Sequence, residues 1–245
     1  MDAKPDTLGE SIDESRTKER LYPAFLSLRG KTCVVVGGGR VAARKVRSLL
    51  STGAHIIVIS PLLHAELQEL LATSAIRHIP APYAKEHLPG ASLVFAATND
   101  PAVNQQVTQD AQQQGLWINI ADDPDSSDFH VPATIHRQDL TLAISTAGSS
   151  PAFARYVREL LEQALHESLG QALEMIAQAR PHILAAPKAQ QAQLWDSLLS
   201  LHLETVIATE GYPAAHSRFA QWLAQKGLSA YDSASLLPRR GLEHT

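Results

Sequence analysis

The sequence predicts a doubly wound α/β fold built on a parallel sheet, followed by a small extended segment and a helical C-terminal region. Three observations carry that expectation. A buried strand runs through a glycine turn into a helix at residues 31–46; apolar strands then alternate with helices to residue 122; beyond it helical patterns dominate. Strands separated by helices pair in parallel through right-handed crossovers, and helices cover both faces of the sheet.

The first unit organises the rest. Thr32, Cys33, Val34, Val35 and Val36 form a short buried strand, Gly37, Gly38 and Gly39 follow, and a helix starts at Arg40-Val41-Ala42-Ala43. The spacing Gly37-x-Gly39-x-x-Ala42 is that of a Rossmann-like dinucleotide site. There the first glycine makes the turn, the second lets backbone approach a pyrophosphate, and a small third residue packs helix on strand. The helix N-terminus, with its free N–H groups and positive dipole end, receives the phosphates.

The remaining elements follow in order. Tyr22 to Leu28 is an apolar lead-in expected to pack on the first strand. The helix after the glycines presents Val41, Val46, Leu49 and Leu50 on one face and stops at Gly53. His55–Ser60 is a second buried strand, Pro61–Leu71 a helix, Ile76–Ile79 a weaker strand, and Tyr83–Leu88 a segment of ambiguous helical character. Leu93–Ala97 is a strand ending in Thr98-Asn99-Asp100, a helix runs from Pro101 to Gln114, and Trp117–Ala121 is the fifth strand. Ligands in such sheets lie beyond the carboxyl ends of the strands. The glycines, Ser60-Pro61, Thr98-Asn99 and Asp122 all fall there.

After Asp122 come a turn-rich loop, extended segments at 129–133 and 140–145, and a small-residue loop at 146–151. A helix is expected from Ala152 to about Leu169, then helical patterns at 171–180, 189–209 and 213–226, separated by Gly170, Pro181, Pro187, Gly211 and Pro213. The expected organisation is a polar, flexible tail at 1–20, a Rossmann domain at 21–122, an extended linking segment at 123–149 and a helical domain at 150–245.

Composition narrows the class. A formal charge of −4 offers no bulk attraction to nucleic acid, and no apolar run approaches a membrane span. The N-terminus has no apolar signal-peptide core, and the single cysteine, Cys33, lies inside a strand as inert core. A soluble cytoplasmic protein is expected.

Polar residues are weighed one by one. Asp122 lies at the rim where a substrate should sit, and a carboxylate there can act as a general base or simply form a turn. Asp123, Asp125 and Asp128 read as turn formers. The loop 145–150, with Ser149 and Ser150, offers an anion cradle with Arg155 and Arg158 one turn in, or an ordinary helix cap. None of the eleven histidines has metal-site spacing; His64, His166 and His202 fall singly on expected helices, and only His130 lies near Asp122. Trp117, Trp195 and Trp222 read as core or interface packing. Ser60 stands where an acid usually holds the ribose hydroxyls, and no arginine follows it for a 2′-phosphate, which favours NAD over NADP.

The segments YPAFLSLRGKTCVVVGGGRVAARKVRSLL, VFAATNDPAVNQQV, INIADD, FHVPATI and LAISTAGSSPAFARYVRE occur in that order. Together they resemble the precorrin-2 dehydrogenase/sirohydrochlorin ferrochelatase family, the first module of siroheme synthases and its stand-alone relatives. The resemblance covers residues 20–165 densely and the helical part loosely, and a chain of 245 residues is too short to add the fused enzymes' methyltransferase module. It implies NAD-dependent oxidation of precorrin-2 to sirohydrochlorin, and in many members insertion of Fe²⁺ (or Co²⁺) as a chelation substrate. By position, the glycine turn with Arg40, Val41, Pro61 and Leu62 would contact NAD, Thr98 and Asn99 would close over it, and the essential aspartate falls on Asp122. Thr146 takes the place of the family's loop serine, and His130 replaces an apolar residue. The family also implies a homodimer, supported by the 123–149 segment and by Leu160, Leu161, Leu165, Leu169 and Ile176. The alternatives are a dehydrogenase without chelatase activity and a non-catalytic NAD- or tetrapyrrole-responsive binding protein.

Overall fold

The computed structural model describes residues 21–228. The tail expected at 1–20 and the end of the helical region, 229–245, lie outside the described residues. Five strands, β1 (Thr32–Val36), β2 (His55–Ile59), β3 (Arg77–Ile79), β4 (Ala91–Ala96) and β5 (Trp117–Ile120), form a parallel sheet in the order β3-β2-β1-β4-β5. Helices α1 (Arg40–Leu50) and α2 (Ala65–Ala72) cover one face, where Cys33, Val35, Ile56, Val58, Leu93 and Phe95 point. Helix α3 (Pro101–Gln113) covers the other with Val107 and Ala111, against Val34, Val36, Val94, Ala96 and Ile118. This is the doubly wound sheet read from the sequence. Its order reverses between β1 and β4, so the carboxyl ends of those two strands flank the crevice where such folds bind ligands.

Several boundaries differ from the sequence reading. The helix expected from Pro61 begins only at Ala65, because residues 60–64 fold onto the glycine turn: His64 N–H donates to Gly38 O at 2.7 Å and Ser60 Oγ to Leu62 O at 2.8 Å. His64 is therefore not on the helix but caps it, Nδ1 accepting from Glu66 N–H. Lys85–His87 is a single 3₁₀ turn. The lead-in does not pack as expected. Tyr22 is 90% and Phe25 74% exposed, and only Leu28 joins the core of the α1 face. Trp117 is likewise 54% exposed at the start of the edge strand β5.

Contacts divide the described residues into two compact units, one of residues 21–131 with 145–151, the other of 132–144 with 152–228. In the second, β6 (Ala133–Arg137) and β7 (Leu140–Ile144) form an antiparallel hairpin. Residues 129–132, expected to be extended, precede β6 instead. Phe129 is used on the sheet, edge-on to Phe95 at 5.4 Å. Helix α4 (Pro151–Ala164) ends five residues earlier than expected because Arg137 binds its last carbonyls, Nε to Leu165 O at 2.9 Å and Nη2 to Glu162 O at 3.1 Å. Helix α5 (Ser168–Ala185) then begins, with His166 capping it by accepting Ser168 N–H. Gly170 and Pro181, expected as breaks, both lie inside α5. A Cβ at Gly170 would come within 2.5 Å of Arg137 O, so glycine there admits the hairpin backbone. The single helix expected at 189–209 is two, α6 (Lys188–Leu199) and α7 (Leu203–Glu210), split by His202 in the left-handed region at φ 46°. With α8 (Tyr212–Gln225) these helices enclose a core of Met175, Ile183, Leu198, Leu203, Phe219 and Trp222.

Candidate functional site

The glycine turn is shaped by its neighbours. Gly37, at φ +122°, donates its N–H to Ile59 O at 2.9 Å, and a Cβ there would collide with the Ala97 carbonyl. A Cβ at Gly38 would collide with the Leu62 carbonyl and lie 2.6 Å from Ser60 Oγ. At Gly39 nothing lies within 4 Å of that position. So the first two glycines fit the protein to itself, and the third leaves open space. Gly39 is also the N-cap of α1, with no side-chain cap, and Arg40 beside it is exposed. Uncapped first-turn N–H groups facing open space suit an anionic pyrophosphate. Ala42, fully buried, lets α1 lie on the sheet.

The β2 end has no acid. The Ser60 hydroxyl is turned inward to Leu62 O, and Ser60 O accepts from or pairs with His78 Nε2 at 2.8 Å. Pro61 and Leu62 are exposed beside the glycines. At the β4 end, Thr98 is locked by Asn104 of α3: Thr98 N–H and Oγ1–H both donate to Asn104 Oδ1, at 3.2 and 2.8 Å, and Asn104 Nδ2 donates to Thr98 O at 3.1 Å. Asn104 was missed by the sequence reading. Its signal was available, an amide one turn into the helix that follows Thr98. Asp100 caps α3 through Ala102 N–H at 2.9 Å, leaving Asn99 exposed. A cleft of about 460 Å³ opens here on the α3 side, lined by Thr98, Asn99, Asn104, Gln105, Ala121 and Asp123 among others.

Asp122 owes its place to the edge of β5. The chain turns back on that strand at once: Ser127 Oγ accepts Ile120 N–H at 2.9 Å, and Asp128 Oδ2 accepts Ile118 N–H at 2.9 Å. The reversal puts Asp122 in the left-handed region at φ +64°, which aspartate tolerates better than most residues. Asp123 and Asp128 are spent on this turn, Asp123 Oδ1 accepting Ser126 N–H. Asp122 is exposed, and among the described residues its carboxylate makes no hydrogen bond or ion pair. Behind it, Lys45 of α1 donates to Asn119 Oδ1 at 2.8 Å. Burial and Arg44 lower the Lys45 pKa, and the attraction of Asp122 opposes them.

The small-residue loop is closed by Thr146, whose hydroxyl donates to Ser150 O at 3.1 Å and accepts Ser150 N–H at 3.2 Å. Ala147 and Gly148 are both left-handed, at φ +50° and +78°. Ser149 N–H donates to Thr146 O at 2.9 Å. A Cβ at Gly148 would meet Pro124 at 3.3 Å and His130 at 3.8 Å, and His130 Nε2 pairs with Pro124 O at 3.0 Å. His130 thus joins the loop after Asp122 to the loop at 146–150. On α4, Arg155 is exposed while Arg158 pairs with Glu162 at 2.7 Å. Among the described residues, no three His, Cys, Asp or Glu side chains converge as a metal site, and no helix is long and apolar enough to cross a membrane.

The chain is similar to known proteins in sequence and fold. Residues 24–133 match the family model described as putative NAD(P)-binding, and residues 137–164 match that of the sirohaem biosynthesis protein central region. A siroheme synthase of Nitrosomonas eutropha is 38% identical over 181 residues, 73% of this chain and 38% of that protein. Siroheme synthase 1 of Aeromonas salmonicida is 41% identical over 180 residues, again 73% of this chain and 38% of that protein. The chain therefore spans under half the length of these curated relatives. The solved structure titled SirC, precorrin-2 dehydrogenase, is 29% identical and superposes with a TM-score of 0.67 over 85% of this chain and 100% of that one. The chain thus carries, in order, the NAD(P)-binding and central regions found in the siroheme synthases, and it shares its fold with the precorrin-2 dehydrogenase SirC.

Proposed function

We propose that the chain oxidises precorrin-2 to sirohydrochlorin, with Asp122 as general base, and that it then inserts Fe²⁺ to give siroheme. The observation that carries this reading is the Asp122 carboxylate, without a hydrogen-bond or ion-pair partner among the described residues, at the same carboxyl end of the sheet as the uncapped glycine turn. The names of the relatives, siroheme synthase and precorrin-2 dehydrogenase, support the substrate class.

NAD⁺ would supply the hydride acceptor. Gly39, Arg40 and Val41 would hold its pyrophosphate through backbone N–H groups, while backbone around Pro61 and Leu62 would hold the ribose in place of the missing acid. Thr98, held rigid by Asn104, and Asn99 would line the nicotinamide end. Removal of hydrogen from the macrocycle sends an electron pair and proton to the cofactor as hydride and leaves a second proton for Asp122. A carboxylate not engaged by other donors is ready to accept it. Chelation displaces two pyrrole N–H protons by the metal, and the same carboxylate would receive them in turn. The substrate's carboxylates would be met by the 146–150 loop, with Thr146, Ser149, Ser150 and His130, and by Arg155 and Arg158. A homodimer would cover α4, which buries only Ala154 while Phe153, Tyr156 and Leu160 remain exposed. A reducing cytoplasm suits the lone, buried Cys33 thiol.

The test is anaerobic incubation with precorrin-2 and NAD⁺, following NADH and the sirohydrochlorin spectrum. Folded protein that yields no NADH would overturn the reading. Fe²⁺ added to sirohydrochlorin decides chelation separately, and an unchanged metal-free spectrum rejects it.

A further inference from the structure

We propose that Lys45 is a positioning residue for this reaction, its ammonium anchoring the Asn119 amide that ties together both ends of the loop carrying Asp122, and serving as that carboxylate's counter-charge. The inference rests on the reading of Asp122 as base and adds a second group to it.

Lys45 lies half-buried on the second turn of α1, with its ammonium 2.8 Å from Asn119 Oδ1 and 5.8 Å from the Phe95 ring centroid. Asn119 is 6% exposed, and its Nδ2 donates to Phe129 O at 2.9 Å. The amide is thereby oriented, with its oxygen towards the lysine. Asn119 precedes the Asp122 loop and Phe129 follows it, so one bonded chain from α1 through Asn119 to Phe129 ties the loop at both ends. Asp122, between them in a left-handed conformation, has no side-chain partner of its own among the described residues.

A purely structural role would not ask for a charge here. Taking an ammonium out of water is costly unless it is paired, and no carboxylate lies within ion-pair distance of Lys45 among the described residues. Packing alone would be served as well by methionine. The groups that face the ammonium are Asn119 and Phe95, both neutral, Arg44 on its own helix, and Asp122. Among the described residues, Asp122 is the attractive charge that opposes burial and Arg44. The function that accounts for the cost is to hold the loop that presents Asp122 and to place a positive charge near its carboxylate.

Two measurements test this. The first is independent of turnover: the Lys45 Nζ resonance is titrated by NMR in the parent and in Asp122→Asn. The midpoint moves down in the variant if the ammonium senses that carboxylate. An unmoved midpoint overturns the proposal whether or not the protein dehydrogenates precorrin-2. The second compares Lys45→Met with Lys45→Arg. The methionine variant loses about tenfold or more in kcat, with KM for NAD⁺ within about twofold, and the acid limb of its pH–rate profile moves to higher pH. The arginine variant restores the limb. Equal kcat and an unshifted limb in Lys45→Met overturn the proposal, whereas a parent enzyme without turnover overturns the functional reading and leaves the NMR coupling to decide this one.

Discussion

Alanine at Gly38 and alanine at Gly39 should have opposite effects, although the two residues are adjacent. At Gly38 the added Cβ overlaps the Leu62 carbonyl and comes within 2.6 Å of Ser60 Oγ. The first of these is backbone, pinned by the Ser60 hydroxyl and by the His64 N–H bond to Gly38 O, so it cannot swing away as a flexible side chain would. Overpacking commonly costs about 1–3 kcal/mol, and a backbone collision belongs at the upper end. At roughly 2–4 °C per kcal/mol for a chain of this size, Gly38→Ala should lower Tm by about 6–12 °C. Gly39 has φ −87° and nothing within 4 Å of its Cβ position, so alanine strains nothing. The modest loss of glycine as an N-cap is offset by a less entropic unfolded chain, and Tm should stay within about 2 °C. The same methyl occupies the space through which backbone would approach a pyrophosphate, so NAD⁺ affinity should fall about tenfold or more, equivalent to about 1.4 kcal/mol. Thermal melts and calorimetric NAD⁺ titrations check both. A Gly39→Ala protein that binds NAD⁺ within twofold of the parent refutes the placement of the cofactor, and a Gly38→Ala protein with unchanged Tm refutes the packing argument.

Asp122→Asn should abolish dehydrogenation while NAD⁺ affinity and Tm hold, because asparagine also tolerates φ +64°; Asp122→Ala should add about 1 kcal/mol of backbone strain, read as a lower Tm. Burial pushes the Cys33 thiol up from 9.0 to about 11, so the native protein should resist alkylation at pH 8 and react only when unfolded in urea. Because the folded value is the higher one, the associated stability is complete below pH 9.0 and is lost as pH rises through about 11, an effect of roughly 2–3 kcal/mol that Cys33→Val should remove in alkaline melts. Arg137→Ala should release the Leu165 and Glu162 carbonyls, and circular dichroism should show a loss of about 1–3 kcal/mol in denaturant unfolding.

The sheet was legible because its signals are local. A strand, a glycine turn and a helix within sixteen residues need no distant partner to be recognised, and the continuous apolar runs of β1, β2 and β4 declare burial on both faces. What escaped were effects set by residues far apart in sequence. Pro61–Leu63 would continue a helix by composition, but the carbonyl of Gly38 claims the His64 N–H first. Gly170 looked like a break and is a close approach to Arg137, 33 positions away. Arg137 itself ends α4 from another element, and nothing near residue 164 announces it. Asp122 was legible as a candidate because it ends a strand. That it escapes, among the described residues, the hydrogen bonding that absorbs Asp123 and Asp128 depends on which way a left-handed residue turns the chain.

That turn also explains how the loop after an edge strand comes to present the proposed base. An exposed edge must have its N–H groups satisfied or it invites pairing with another chain. Here Ser127 and Asp128 cap β5 from its own following loop, at Ile120 and Ile118. Capping requires the chain to double back immediately after the strand, and the reversal projects Asp122 at the sheet rim with its carboxylate unclaimed among the described residues. Protection of the edge and presentation of the Asp122 carboxylate are thus the same piece of geometry. Substitutions at Ser127 or Asp128, neither of which need touch a substrate, should therefore lower kcat by loosening Asp122 while leaving the glycine turn, on β1, and its NAD⁺ affinity intact.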